Sequence, residues 1–321
     1  MLSKVLRLVR YKNLIIVALT MYCMRFFIMQ PILAKTGMHL QLSELLFFML
    51  MLSTVFITAA GYVINDYFDT RTDEVNRPKT VIVGKDLSRR FAISLHWTLS
   101  ALGVVLGAAV TVSIGKPFLT LVFLIVPGLL WFYSTSYKRQ LLTGNLLVAL
   151  LTAVVPLMPF LFELPLLHKA YWQILVLKPF AFNEVMYWIM GYTIFAFILT
   201  LFREIVKDIE DVEGDNAFGR RSLPVVVGVN GARDIAAIIL MFTIVVLAYL
   251  FGAYLNHLST GSFDYFSLGY IVGTIVFPIF ILVVKVLTAS EKSDYHWVSN
   301  FSKVVMLLGI LYSILFRFVV V

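Results

Sequence analysis

Two stretches of this 321-residue chain crowd carboxylates together. The first, INDYFDTRTDEVNRPKT from Ile64 to Thr80, holds Asn65, Asp66, Asp69 and Asp73, interleaved with Arg71, Arg77 and Lys79. The second, REIVKDIEDVEGD from Arg203 to Asp215, holds Asp208, Asp211 and Asp215, with Glu204 and Lys207 beside them. Asn65, Asp69 and Asp73 recur every four residues, and Asp208, Asp211 and Asp215 follow at three and four, so each set forms one stripe on a helix. Asp66 lies next to the first stripe. Six aspartates gathered at two helix ends repel one another unless cations neutralise them. Mg²⁺ takes hard oxygen ligands and commonly bridges carboxylates to substrate phosphates. A single DxxxD is usually a solvated acidic helix end. Two such sets with matching spacing and interspersed bases read instead as two facing Mg²⁺-diphosphate platforms. Arg71, Arg77, Lys79 and Lys207 are candidates to clamp phosphate oxygens; the alternative is ordinary loop charge.

The elements that carry these stripes are apolar. The chain is 60% hydrophobic and 14% charged, against about 25% charged in soluble domains, and its mean hydropathy is +0.92. Runs of about 20 apolar residues long enough to cross a bilayer fall at 13–34, 43–64, 91–113, 117–135, 144–163, 184–206, 233–256, 264–288 and 298–320. The expected fold is therefore all-α, a polytopic membrane protein of nine transmembrane helices around a central cavity. One domain spans residues 1–321, with a short amphipathic segment at 1–12. The first run is too long for a secretory h-region and contains Arg25, so it reads as a retained span. With nine spans, 20 of the 26 Lys and Arg fall on one side and 5 on the other, while Arg25 lies inside a span. Basic residues mark the cytoplasmic side. The N-terminus and both acidic stripes are thus expected in the cytoplasm, with a prokaryotic plasma membrane as the setting. The +8 net charge is topological rather than a nucleic-acid patch, and the single cysteine, Cys23, excludes a disulfide framework.

NDYFDTRTD resembles the NDxxDxxxD motif of the UbiA superfamily of intramembrane prenyltransferases, and DIEDVEGD resembles its second DxxDxxxD-type motif. Their order and their positions after spans two and six match as well, so the resemblance covers the whole chain. It implies a helical bundle whose cavity opens to lipid, and Mg²⁺-dependent transfer of a prenyl group from its diphosphate to an acceptor. It also implies that Asn65, Asp66, Asp69 and Asp73 hold one metal and Asp208, Asp211 and Asp215 another. Asp69, Asp73, Asp211 and Asp215 are then the carboxylates closest to catalysis. The wording REIVKDIEDVEGD, with Lys207 before the first Asp, is similar to the digeranylgeranylglyceryl phosphate synthase-like branch. NRPKTVIVGK departs from that family's commoner NRPIPSG. The resemblance implies a geranylgeranyl-type donor and a geranylgeranylglyceryl phosphate acceptor, giving an ether lipid. The runner-up is an aromatic prenyltransferase of quinone biosynthesis, with 4-hydroxybenzoate or dihydroxynaphthoate as acceptor. An ion-coupled transporter is the alternative from another class, but these carboxylates sit at helix ends rather than mid-membrane.

Other residues carry weaker expectations. A phosphorylated acceptor brings about two further negative charges and would call on cations the metals do not need: Lys207, Arg25 and the Lys138/Arg139 pair. Arg25, costly inside a span, is expected to face the cavity as a substrate or carboxylate partner, or else to snorkel to the interface or form a structural pair. Tyr137 and Lys138, in WFYSTSYKR at the end of span four, are expected to bind acceptor or phosphate, or else to anchor the interface. Pro127, Pro156 and Pro159 are expected to kink their helices. The histidines show no metal-ligand spacing.

Overall fold

The computed structural model of the chain describes residues 1–177, 180–253 and 264–320. Lys178, His257 and the end of the span expected at 233–256 lie outside the described residues. A surface helix α1 (Leu2–Leu8) precedes α2 (Tyr11–Lys35), α3 (Glu44–Asn76), α4 (Arg89–Ser113), α5 (Pro117–Arg139), α6 (Thr143–Leu177) and α7 (Phe180–Glu210). A short α8 (Val212–Ala217) then leads to α9 (Leu223–Ala253), α10 (Tyr265–Thr288) and α11 (Lys292–Val320). Among the described residues nine of these helices, α2–α7 and α9–α11, are long and apolar enough to cross a membrane.

Local chemistry fixes where the functional helices start and stop. Ser43 caps α3 by accepting the Leu46 N–H, and Ser88 caps α4 by accepting that of Phe91. The second span does not end near residue 64 as hydropathy alone suggests. It continues as helix to Asn76, carrying the first acidic stripe out of the apolar layer as an ordered rod. It stops there because Pro78 drives the preceding residue out of helical geometry, and Arg77 has φ −146°. The second stripe is not one continuous helix. Asp211 leaves helical geometry at φ −103°, ψ 8°, and α8 restarts after it.

Small residues set the spacing between spans, as is usual in lipid. A Cβ at Gly103 of α4 would press on Ile57 and the Ser53 carbonyl, and the Ser53 hydroxyl donates to the Gly103 carbonyl at 2.6 Å. That approach locks α4 onto the helix bearing the first stripe. One apolar cluster joins α2, α6, α7 and α9–α11; a second joins α2–α6. Pro156, Pro159 and Pro165 all lie inside α6, and its backbone leaves helical angles at Tyr171 rather than at a proline. In α2 the turn Met24–Met29 is wound as π-helix just before Pro31. In that register the Phe26 carbonyl would await an N–H from residue 31, which proline lacks. Arg317 supplies the donor at 3.2 Å.

Candidate active site

Six spans, α2, α3, α5, α6, α7 and α11, enclose two joined chambers. The polar one has a volume of about 480 Å³ and is lined by Asn65, Asp66, Asp69, Asp73, Asp208, Asp211 and Asp215, which the fold therefore brings together from both stripes. The deeper one, of about 260 Å³, is walled mainly by apolar side chains such as Ile57, Phe123, Val155 and Met158. Arg10, Asn13, Asn65, Tyr133, Arg203, Glu204, Lys207 and Lys303 line both, forming a neck.

The two motifs are tied directly to each other. Asn76, at the last turn of α3, accepts the Gly214 N–H at 2.9 Å and donates to the Asp211 carbonyl at 3.2 Å. Any side chain at Gly214 would strike the Asn76 carboxamide. Arg77, thrown sideways by Pro78, grips Asp211 with two bonds, Nε to Oδ1 at 3.2 Å and Nη2 to Oδ2 at 2.7 Å. Lys292 of α11 donates to the Asn76 carbonyl at 2.9 Å, closing a third side.

Cations are distributed over the carboxylates. Lys138 reaches Asp69 at 2.6 Å, and Arg220 bridges Asp69 at 2.5 Å and Asp215 at 3.3 Å. Arg10 pairs with Asp66 at 2.9 Å, and Asn145 donates to Asp208 at 2.7 Å. Burial pushes the Asp215 carboxyl up, against the pull of Arg220. Burial opposes the charge of Arg220 itself, yet Asp69 and Asp215 more than offset it and its pKa rises. Arg77 behaves likewise, with Asp211 and Glu210 outweighing the cost of burial.

Of the residues expected from sequence, Arg77, Lys79, Lys138 and Lys207 line the polar chamber with the carboxylates; Arg71 is exposed and Tyr137 half-buried, and neither lines a chamber. Arg25 is a correction. It lies fully buried away from both chambers, paired with Glu163 at 3.0 Å and Glu44 at 3.3 Å, and donates to the Leu42 carbonyl. Its charge is spent holding the loop between α2 and α3, the structural alternative.

Sequence reasoning missed Arg220, Asn145 and the roles of Arg10 and Asn76. For Arg220 there was a signal: Gly219, at φ +66°, follows α8 as a helix-terminating glycine. The Arg220 N–H then donates back to the Asp215 carbonyl at 2.9 Å, which turns the guanidinium over the site. Arg10 sits in the left-handed region at φ 53°, ψ 53°, a conformation disfavoured for a side chain with a Cβ. The junction of α1 and α2 holds it there, over the Tyr62 ring and against Asp66.

Among the described residues no three carboxylates converge as a ready metal cage. Mg²⁺ does not need one: it keeps several waters and binds through one or two carboxylates plus substrate phosphates. A chamber of hard oxygen donors fits that mode of binding.

The UbiA prenyltransferase family pattern matches residues 26–311. The digeranylgeranylglyceryl phosphate synthase of Sulfurisphaera tokodaii is 31% identical to this chain over 239 residues, covering 74% of this chain and 73% of that protein. The apo structure of a UbiA homologue from Aeropyrum pernix K1 aligns with a TM-score of 0.63 at 15% identity, covering 92% of this chain and 96% of that one. A UbiA homologue from Archaeoglobus fulgidus bound to GPP and Mg²⁺ aligns at 0.55 with 18% identity, covering 95% and 98%. With nine long apolar helices among its described residues and paired acidic motifs, this chain belongs to the UbiA prenyltransferase family and is a multi-pass integral membrane prenyltransferase.

Proposed function

We propose that the protein transfers a geranylgeranyl-type chain from its diphosphate to the hydroxyl of a geranylgeranylglyceryl phosphate-type acceptor, making an ether lipid. The reaction depends on Mg²⁺ and takes place at the cytoplasmic face of a prokaryotic plasma membrane. One observation carries this reading: a polar, carboxylate-lined chamber opens through a neck into an apolar one inside the bundle. A molecule with a charged head and a hydrocarbon tail fits that shape, and the tail also explains why the site lies inside a membrane protein. The relative from Sulfurisphaera tokodaii, named for synthesis of digeranylgeranylglyceryl phosphate, supports the choice of acceptor.

Asn65, Asp66, Asp69 and Asp73 on α3 would hold one Mg²⁺, and Asp208, Asp211 and Asp215 the other. Bound there, Mg²⁺ would offset the negative charge that builds on the leaving diphosphate. The chain's own cations act with it. Arg77, Lys138 and Arg220 already lie among the carboxylates and can reach phosphate oxygens once substrate arrives. The C1–O bond of the donor breaks, and the diphosphate leaves with the electron pair. The acceptor oxygen bonds to C1, and its proton passes to the departing diphosphate. The apolar chamber keeps water from the allylic cation, and Tyr133 at the neck offers an aromatic face to it.

The test uses protein purified in membranes, given labelled geranylgeranyl diphosphate and Mg²⁺. Geranylgeranylglyceryl phosphate and 4-hydroxybenzoate are supplied side by side. Prenylation of the glycerol phosphate supports the proposal. Turnover of the aromatic compound alone moves the protein to quinone biosynthesis, and the absence of any diphosphate release with either acceptor rejects the donor.

A further inference from the structure

The basic residues of the two chambers are not spread evenly. The six motif aspartates line the polar chamber alone, whereas Arg203, Lys207 and Lys303 line both chambers. At this neck a single carboxylate among the described residues, Glu204, lines both chambers with them. Arg203 binds it at 2.7 Å and Lys207 at 3.5 Å. Lys303, on α11 across the neck, has no carboxylate partner among the described residues. Its ammonium donates to the neutral Asn300 amide at 3.2 Å, and Arg203, Lys207, Arg10 and Glu204 are its charged neighbours. Arg10 is already committed to Asp66. The Arg203 Nε is buried with no hydrogen-bond partner. Three cations therefore crowd the one carboxylate that pairs with them at the neck, Asp208 being the next carboxylate to act on Lys207, in a partly desolvated passage where like charges repel strongly.

We propose that Arg203, Lys207 and Lys303 form a phosphomonoester subsite that holds the phosphate of the acceptor, apart from the diphosphate of the donor. The inference rests on the acceptor class proposed above. A phosphate monoester carries about −1.5 to −2 charge at pH 7 and three strong acceptor oxygens, which matches the surplus of charge and the three donors. An aromatic carboxylate, with one charge, would leave the neck positive.

Position supports the assignment. Arg203 lies five residues before Asp208 on α7, roughly 7.5 Å deeper along the helix axis. A phosphate held there leaves the motif carboxylates to the donor's diphosphate. A glycerol backbone reaches about 4–5 Å from its phosphorus to a free hydroxyl, enough to bring that oxygen towards the donor's C1. The acceptor's own chain then runs into the apolar chamber below the neck.

The experiment is steady-state kinetics on Lys303→Gln and Arg203→Gln, with geranylgeranyl diphosphate and geranylgeranylglyceryl phosphate varied in turn. The acceptor KM rises about 10-fold or more in each, while the donor KM stays within about twofold, because one charge-assisted contact to one ligand is lost. Inorganic phosphate competes with acceptor but not with donor in the wild type, and loses that inhibition in Lys303→Gln. A donor KM that rises in step would assign the cluster to diphosphate, and an unchanged acceptor KM would remove its role; either overturns the subsite. If the wild type uses only 4-hydroxybenzoate, the proposed acceptor fails. The phosphate arm then decides the subsite by itself: inhibition that Lys303→Gln abolishes upholds an anion site at the neck, and inhibition that it leaves intact rejects it.

Discussion

The Asn76 side chain accepts the N–H of Gly214 at 2.9 Å across 138 residues of sequence. The same carboxamide donates to the Asp211 carbonyl, so one residue sets the distance between the two acidic motifs. Asn76→Ala leaves a buried N–H unpaired, at a cost of about 1–3 kcal/mol, and lets α3 and α8 drift apart. The expected result is a fall in kcat of at least about 10-fold with modest loss of thermal stability in detergent. Gly214→Ala gives the same fall by collision with the carboxamide. Full activity in both variants would show that the motifs do not depend on this bridge.

Asp69 and Asp211 answer a different question. Each is held by a cation on another element, Asp69 by Lys138 and Arg220 and Asp211 by Arg77. Their role is electrostatic rather than space-filling. Asp69→Ala and Asp211→Ala should each lower turnover by more than about 100-fold, the scale of removing one strong electrostatic stabiliser, while the protein still inserts and elutes as a folded species. Near-normal turnover in both would remove the two-metal reading.

These residues also show how far the chain can be read before it is folded. Hydropathy placed all nine of the spans found among the described residues, because twenty apolar residues in a row have few other solutions. It ended α3 near residue 64, since a charged helix outside the apolar layer carries no hydropathy signal; the four-residue spacing of Asn65, Asp69 and Asp73 was the better guide. The break at Asp211 was not legible, because it depends on Asn76 and Arg77 from another helix. Arg220 was half legible: Gly219 and its near partner Asp215 stand beside it in sequence, but its second carboxylate partner, Asp69, lies 151 residues away. Arg25 misled because a charge in a span has two equally good partners in sequence, a cavity or a buried carboxylate. Glu163 looked like any residue of an apolar run.

Metal dependence can be separated from folding. Chelation should abolish transfer without unfolding the protein, as the apolar clusters and the Asn76 bridge involve no metal. Added Mg²⁺ should restore activity, and Asp73→Asn should raise the Mg²⁺ concentration needed for half-maximal rate. Unaltered turnover after exhaustive chelation would exclude the metal-assisted route.

The proposed orientation, with the N-terminus and the polar chamber on the cytoplasmic side, can be tested with thiol chemistry because Cys23, the chain's single cysteine, is buried. A cysteine at Lys116, between α4 and α5, should react with an impermeant reagent outside intact cells. One at Thr80, at the rim of the polar chamber, should react only after permeabilisation. The reverse labelling would turn the protein over in the membrane and place the site outside.

The pair Arg25 and Glu163 separates stability from chemistry. Both side chains are essentially fully buried, and Glu163 also accepts the backbone N–H groups of Gln41 and Leu42. It therefore ties α6 to α2 and to the loop entering α3, far from the carboxylate chamber. Glu163→Ala leaves the buried Arg25 guanidinium with only the exposed Glu44 and the Leu42 carbonyl, and leaves two N–H groups unpaired, a loss of about 3 kcal/mol. Thermal denaturation in detergent should show a clear drop in Tm, while the KM for donor and acceptor in the surviving folded protein stays as in wild type. Arg25→Met, which removes the charge but keeps an apolar stem of similar length, should lose less activity than Asp69→Ala at the same temperature. A selective rise in either KM at undiminished Tm would return Arg25 to the substrate site.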